Sequence, residues 1–126
     1  MKIIIVDDNR SFLDMTTRFL QTLPQAPTVL TAHTGSEALA ILEQHSVELA
    51  LLNFRLPDTN GFDLARRIRA LASDTHILVI TIHYATEYQT AALAVGVNGF
   101  ASKDDIGEYL PGIIDGLLAC SPESSD

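Results

Sequence analysis

The sequence predicts an α/β domain, a doubly wound parallel sheet of five strand–helix units in strand order 2-1-3-4-5. Three observations lead there. Apolar runs, most of them rich in Ile, Val and Leu, recur five times along the chain, as suits strands covered by helices on both faces. The segments between them carry apolar residues at helical spacing. And 126 residues suit one domain, in which strict strand–helix alternation implies parallel strands joined by right-handed crossovers.

The strands are expected at "KIIIV" (2–6), "TVLTA" (28–32), "VELALL" (47–52), "HILVIT" (76–81) and the weaker "GFAS" (99–102). In the first helix Phe12, Thr16, Phe19, Leu20 and Leu23 share one face, and Pro24 and Pro27 bracket the turn that stops it. The second opens with Thr34 and Glu37 at capping-box spacing and turns Ala38, Leu39, Ile41 and Leu42 inward. The third follows Gly61, with Phe62, Leu64, Ala65, Ile68 and Leu71 apolar and Arg66, Arg67 and Arg69 largely outward. A fourth is expected from near Thr86 to a C-cap at Gly96. The last carries Leu110, Ile113, Ile114, Leu117 and Leu118, and Pro111 places its start near Gly107 or Glu108, because proline is tolerated in a first turn and breaks a helix deeper in. Residues 1–120 form the domain, and 121–126 are a polar tail or the start of a linker.

Bulk properties narrow the function. Hydrophobic residues make up 47% and charged residues 19%, a globular composition. The first apolar run is too short for a signal peptide and no run approaches a membrane span, so no membrane contact is expected. A single cysteine, Cys120, forms no internal disulfide, and a cytoplasmic setting is the default. A net charge of −8 lacks the basic footprint of a nucleic-acid binder, so any DNA contact belongs to another domain.

Open parallel sheets bind ligands outside the carboxyl ends of their strands. Those ends carry Asp7 and Asp8, Asn53, Thr81 and Lys103, which the predicted strand order brings together. Paired carboxylates beside a carbonyl suit Mg²⁺. A hydroxyl and an ammonium beside the metal suit a phosphoryl group, whose transfer depends on positioning and charge neutralisation. Each residue alone has a plainer role: a helix cap, a β-former, a solvated lysine. Their convergence on one sheet edge favours the site.

The chain resembles a response-regulator receiver domain of the CheY-like kind, whose fold is flavodoxin-like. "IIIVDD" (3–8), Pro57 and Gly61 at family spacing, "VIT" (79–81) and "FASK" (100–103) carry the resemblance. "NFRLPDTNGFDLARRIR" and "AVGVNGFASKDD" are most similar to the NarL/FixJ branch, whose receivers precede a LuxR-type helix-turn-helix. The resemblance implies a two-component phosphorelay switch rather than an enzyme, controlling transcription through an output domain outside this chain. Its partner would be a sensor histidine kinase or phosphotransfer protein. It implies Mg²⁺ held by Asp8 directly, Asp7 largely through water, the residue at 53, and the Arg55 backbone carbonyl. Thr81 and Lys103 would meet the phosphoryl oxygens, and Phe100 falls at the switch aromatic beside Thr81. A homodimer would form through the fourth helix, fifth strand and last helix, or through the last helix alone.

Position 53 is where the family carries its phosphate-accepting aspartate, and here it is Asn53. An amide has nearly the shape of a carboxylate but is not a comparable nucleophile. Two readings stay open: a substitution that locks an ordinary receiver unphosphorylated, or a native residue in a phosphorylation-independent pseudo-receiver acting as a protein-interaction module. Asp58 is a conceivable substitute acceptor, although a turn role beside Pro57 suits it better.

The other candidates are weaker. His33, His45, His76 and His83 lack metal-ligand spacing and suit solvated or edge positions, with His83 nearest the pocket. "GIIDG" (112–116) reads as tight packing of the last helix, or as a dimer contact. The same fold also binds flavin mononucleotide, but the two carboxylates after the first strand would repel its phosphate. A Mg²⁺-dependent phosphohydrolase would need a further Asp that "VDDNRS" lacks.

Overall fold

In a computed structural model the described residues are 1–72, 74–81 and 96–119. The expected fourth helix, His83 and Cys120 lie outside them. Five parallel strands, β1 (Lys2–Val6), β2 (Thr28–Ala32), β3 (Leu49–Asn53), β4 (His76–Thr81) and β5 (Gly99–Ser102), form one sheet in the order β2-β1-β3-β4-β5. The third strand begins two residues later than expected and takes Asn53 as its last residue.

The unbroken apolar runs have a simple cause. Ile4, Val6, Ala50, Leu52, Ile77 and Val79 face one core, shared with Leu64, Ala65 and Ile68 of α3 (Gly61–Leu71) and Ala38 of α2 (Gly35–Gln44). Ile3, Ile5, Leu49, Leu51, Leu78 and Ile80 face the other, packed by α1 (Arg10–Gln21) and the C-terminal helix (Ile106–Ala119). Adjacent strand residues point to opposite faces, so burial on both faces favours apolar residues at the inner positions of β1, β3 and β4, whereas edge strand β2 keeps Thr28 and Thr31.

Helices α1, α2 and α3 each start on a side-chain cap. Asn9, Thr34 and Asn60 accept hydrogen bonds from the backbone N–H groups of Phe12, Glu37 and Asp63 at 3.0, 3.1 and 2.9 Å. Capping satisfies N–H groups that the first helical turn leaves without partners. α1 ends at Gln21, so Leu23 lies past it but still packs against the core that α1 joins, and Leu13 is also buried there.

Four further expectations are corrected. Leu71 is exposed, whereas Arg69 is half-buried and bonded. The C-terminal helix starts at Ile106, which puts Pro111 in the second turn. The early start follows from the Asp105 carbonyl, which accepts from Glu108 at 2.9 Å, and from Ile106, which is buried in the core. Gly112 and Gly116 are exposed, and an added Cβ would meet nothing within 4 Å at either. The spacing there reflects open surface on this chain, not tight packing.

Candidate functional site

Sheet register assembles the site. Val6 pairs with Leu52, Asn53 with Ile80, and Thr81 with Ser102. Asp7, Asn53, Thr81 and Lys103 therefore stand side by side where four strands end. Main-chain bonds hold the row: Phe54 N–H donates to the Ile80 carbonyl at 2.8 Å, and Lys103 N–H to the Thr81 carbonyl at 3.0 Å.

Asp7 is buried, with 1% of its surface exposed. Its Oδ1 accepts from the Asn9 N–H at 2.9 Å. Its buried Oδ2 makes no aligned hydrogen bond and is balanced by the Lys103 ammonium at 2.8 Å. That ammonium also lies 4.6 Å from the centroid of the Phe12 ring, a cation–π contact absent from the sequence reading. Asp8 is exposed and Thr81 is buried.

Asn53 is half-buried, and its Nδ2 donates to the Arg55 carbonyl at 2.5 Å. The segment after it is compact. The Gly61 N–H donates to the Phe54 carbonyl at 2.7 Å, and Leu56 N–H to the Thr59 carbonyl at 3.1 Å. Position 61 requires glycine for space: an added Cβ would stand 3.1 Å from the Asn53 carbonyl oxygen and 3.2 Å from the Phe54 Cα.

Asp58 also reaches beyond its own turn. Its carboxylate reaches across to α2, where Oδ1 accepts from the Gly35 N–H and Oδ2 from the Ser36 N–H and hydroxyl, all at 2.9 Å. These backbone bonds, led by Gly35, hold its carboxyl below the ordinary aspartate range. With both oxygens engaged at a helix terminus, Asp58 is a poor substitute acceptor. Of the histidines, His33 pairs with Glu37 at 3.6 Å, His45 meets the Lys2 ammonium at 3.4 Å, and His76 opens β4. His45 is exposed, His33 is half-buried, and His76 is half-buried at the first residue of β4.

Phe100 packs toward α3. Its ring stands 6.1 Å from that of Phe62, which in turn meets Phe54 edge-on at 5.1 Å. An aromatic row thus runs from the residue after Asn53 to the middle of β5.

Donors for a divalent cation are present but engaged. Of the expected set, Asp7 is paired with Lys103, and the Arg55 carbonyl accepts from Asn53. Asp8 is exposed, and Asn53 is half-buried with its Nδ2 committed to Arg55. Among the described residues no three His, Cys, Asp or Glu side chains gather as a metal cluster. As arranged, the groups fit Mg²⁺ poorly.

A doubly wound sheet with acidic and cationic groups at its switch point defines a flavodoxin-like signalling fold. The chain belongs to the response regulator receiver domain family, which it matches over residues 3–114. It is 29% identical to the probable transcriptional regulatory protein NarL of Mycobacterium tuberculosis, a match covering 96% of this chain and 55% of that one. It is 27% identical to the transcriptional regulatory protein DegU of Brevibacillus brevis, covering 82% and 44%. A receiver domain protein (CheY-like) from Methanospirillum hungatei superposes with a TM-score of 0.82 at 26% identity, covering 95% and 98%. The chain spans about half the length of the curated relatives it matches.

Proposed function

We propose that this chain is the receiver of a two-component transcriptional regulator in which Asn53 occupies the phosphoacceptor position, so that it takes no phosphate there. The observation that carries this is the place of Asn53. It ends β3 one register step from Asp7, on the edge shared with Thr81 and Lys103. In an aspartate form a carboxylate oxygen would attack the phosphorus of a phosphohistidine on a sensor kinase or phosphotransfer protein. The O–P bond forms as the P–N bond breaks, leaving an acyl phosphate and the histidine. Asn53 has no such oxygen nucleophile.

Within this reading Asp7, Asp8, the residue at 53 and the Arg55 carbonyl would hold Mg²⁺ only once their present partners give way, and the ion would then supply charge neutralisation at the phosphoryl group. Thr81 and Lys103 would hold phosphoryl oxygens, and Thr81 with Phe100 would form the switch. The domain covers 1–120, with 121–126 a polar tail or linker, and the setting is cytoplasmic. Among the described residues no helix is long and apolar enough to cross a membrane. The output and any pairing of receivers lie on the β5 and C-terminal helix side, and DNA contact belongs to another domain. The intact remainder of the pocket supports a locked receiver over a degenerate interaction module.

The test is exposure to a small phosphodonor, read by intact-mass spectrometry. No adduct is expected on the Asn53 protein and a stoichiometric acid-labile one on Asn53→Asp. A stoichiometric adduct on the Asn53 protein, mapped to another residue, overturns the reading.

A further inference from the structure

We propose that Asn53 does more than remove a nucleophile: its amide closes the cation site from within, standing where a metal would act on the Arg55 carbonyl. This rests on the reading above and deepens it. The Nδ2–H group donates to that carbonyl oxygen at 2.5 Å. A divalent cation and an N–H donor both need the oxygen's electron-rich side, and Mg²⁺ demands closely placed oxygen ligands in a near-octahedral set.

The Lys103 ammonium completes the closure by balancing the buried Asp7 Oδ2 at 2.8 Å, with the Phe12 ring beside it. The two contacts replace an external ion with internal donors. For Mg²⁺ to take the Arg55 carbonyl in this way, the Asn53 amide must leave it, which breaks their hydrogen bond. A missing negative charge alone would weaken binding at any neutral residue; a closing amide weakens it further than a residue that donates nothing.

That difference can be measured by Mg²⁺ titration of three proteins, followed by backbone amide NMR shifts around Asp8 and Lys103. Asn53→Asp should bind more tightly than the Asn53 protein by about ten- to a hundredfold, roughly 1.4–2.8 kcal/mol. Asn53→Ala, which leaves the Arg55 carbonyl open to water or metal, should also bind more tightly than the Asn53 protein, by at least about threefold. Asn53→Ala binding no more tightly than Asn53, while Asn53→Asp gains as expected, overturns the closing amide and leaves the receiver reading standing. No gain of Mg²⁺ affinity and no phosphate uptake by Asn53→Asp overturns the receiver reading itself.

A second measurement is independent of how Asn53→Ala folds. In the doubly labelled Asn53 protein, a scalar coupling across the hydrogen bond should connect Asn53 Nδ2 to the Arg55 carbonyl carbon, and saturating Mg²⁺ should abolish it. Absence of the coupling without metal, or its survival once shifts show the ion bound, counts against the proposal.

Discussion

At the scale of single residues, Asp58 shows how a side chain in the segment after β3 fixes an element far along the chain. It is joined to Gly35 and Ser36 by three hydrogen bonds, over 23 and 22 residues of sequence. Losing a cap of this kind costs about 1 kcal/mol, so Asp58→Ala should destabilise the domain by about that amount in urea unfolding. The folded carboxyl titrates below its unfolded value. Its stabilisation is therefore present above the unfolded pKa and lost as pH falls through the depressed folded one. The difference between Asp58→Ala and the parent should accordingly vanish in strong acid. A constant difference across that range would contradict the cap. Sequence reading saw the turn beside Pro57 but not this partner, because a long-range acceptor leaves no local pattern. The Asn53–Arg55 bond escaped for another reason: spacing places residues and does not orient an amide.

At the scale of elements, α3 is tied to the start of β4 and β5 by one guanidinium. Arg69 Nη1 donates to the Thr75 carbonyl at 2.7 Å, and Nη2 donates to the Gly96 carbonyl at 2.7 Å and to Asn98 Oδ1 at 2.8 Å. Asn98 Oδ1 also accepts from the Ile77 N–H at 2.8 Å, which links the fork to the sheet. Hydrogen bonds to charged groups contribute about 1.5–3 kcal/mol each and are not additive, so Arg69→Met should destabilise the domain by about 2–4 kcal/mol. His76 gives a second readout. Burial first, and Arg69 second, hold its imidazole below the ordinary value. In Arg69→Met the His76 pKa should rise part of the way back, as followed by ring-proton NMR. The sign follows from linkage: a depressed folded pKa means stability present above the unfolded pKa and lost as pH falls toward the folded one. Arg69→Met should lose less stability over that window than the parent. Helical spacing had set Arg69 outward with Arg66 and Arg67; its long stem instead follows the helix flank to the carbonyls that close the β4 and β5 turns.

At the scale of the whole molecule, the sheet is covered on both faces, and a pair of adjacent substitutions tests it. Leu51 and Leu52 are each fully buried but belong to opposite cores. A Leu→Ala change in a packed core costs about 2–5 kcal/mol. Leu51→Ala and Leu52→Ala should therefore both fall in that range in urea unfolding. A sheet with one wet face would spare one of the two. The same double coverage makes the architecture readable from sequence, since four of five strands match their runs to the residue and strict alternation implies a parallel sheet. The strand-end residues were readable because each run ends abruptly in a polar group. The C-terminal helix was read less well: Pro111 argued for a late start, while burial of Ile106 decided an earlier one.

The aromatic row from Phe54 through Phe62 to Phe100 acts as a detent on whatever motion Phe100 makes. An aromatic pair contributes about 0.5–1.5 kcal/mol beyond its buried area. Any rearrangement that carries the Phe100 ring away from Phe62 forgoes that contact and starts roughly two- to tenfold behind in population. The resting arrangement of β5 is thus weighted in part by carbon packing from α3. Salt, which screens the charged edge of the sheet within about 10 Å at 0.1 M, leaves that weighting untouched.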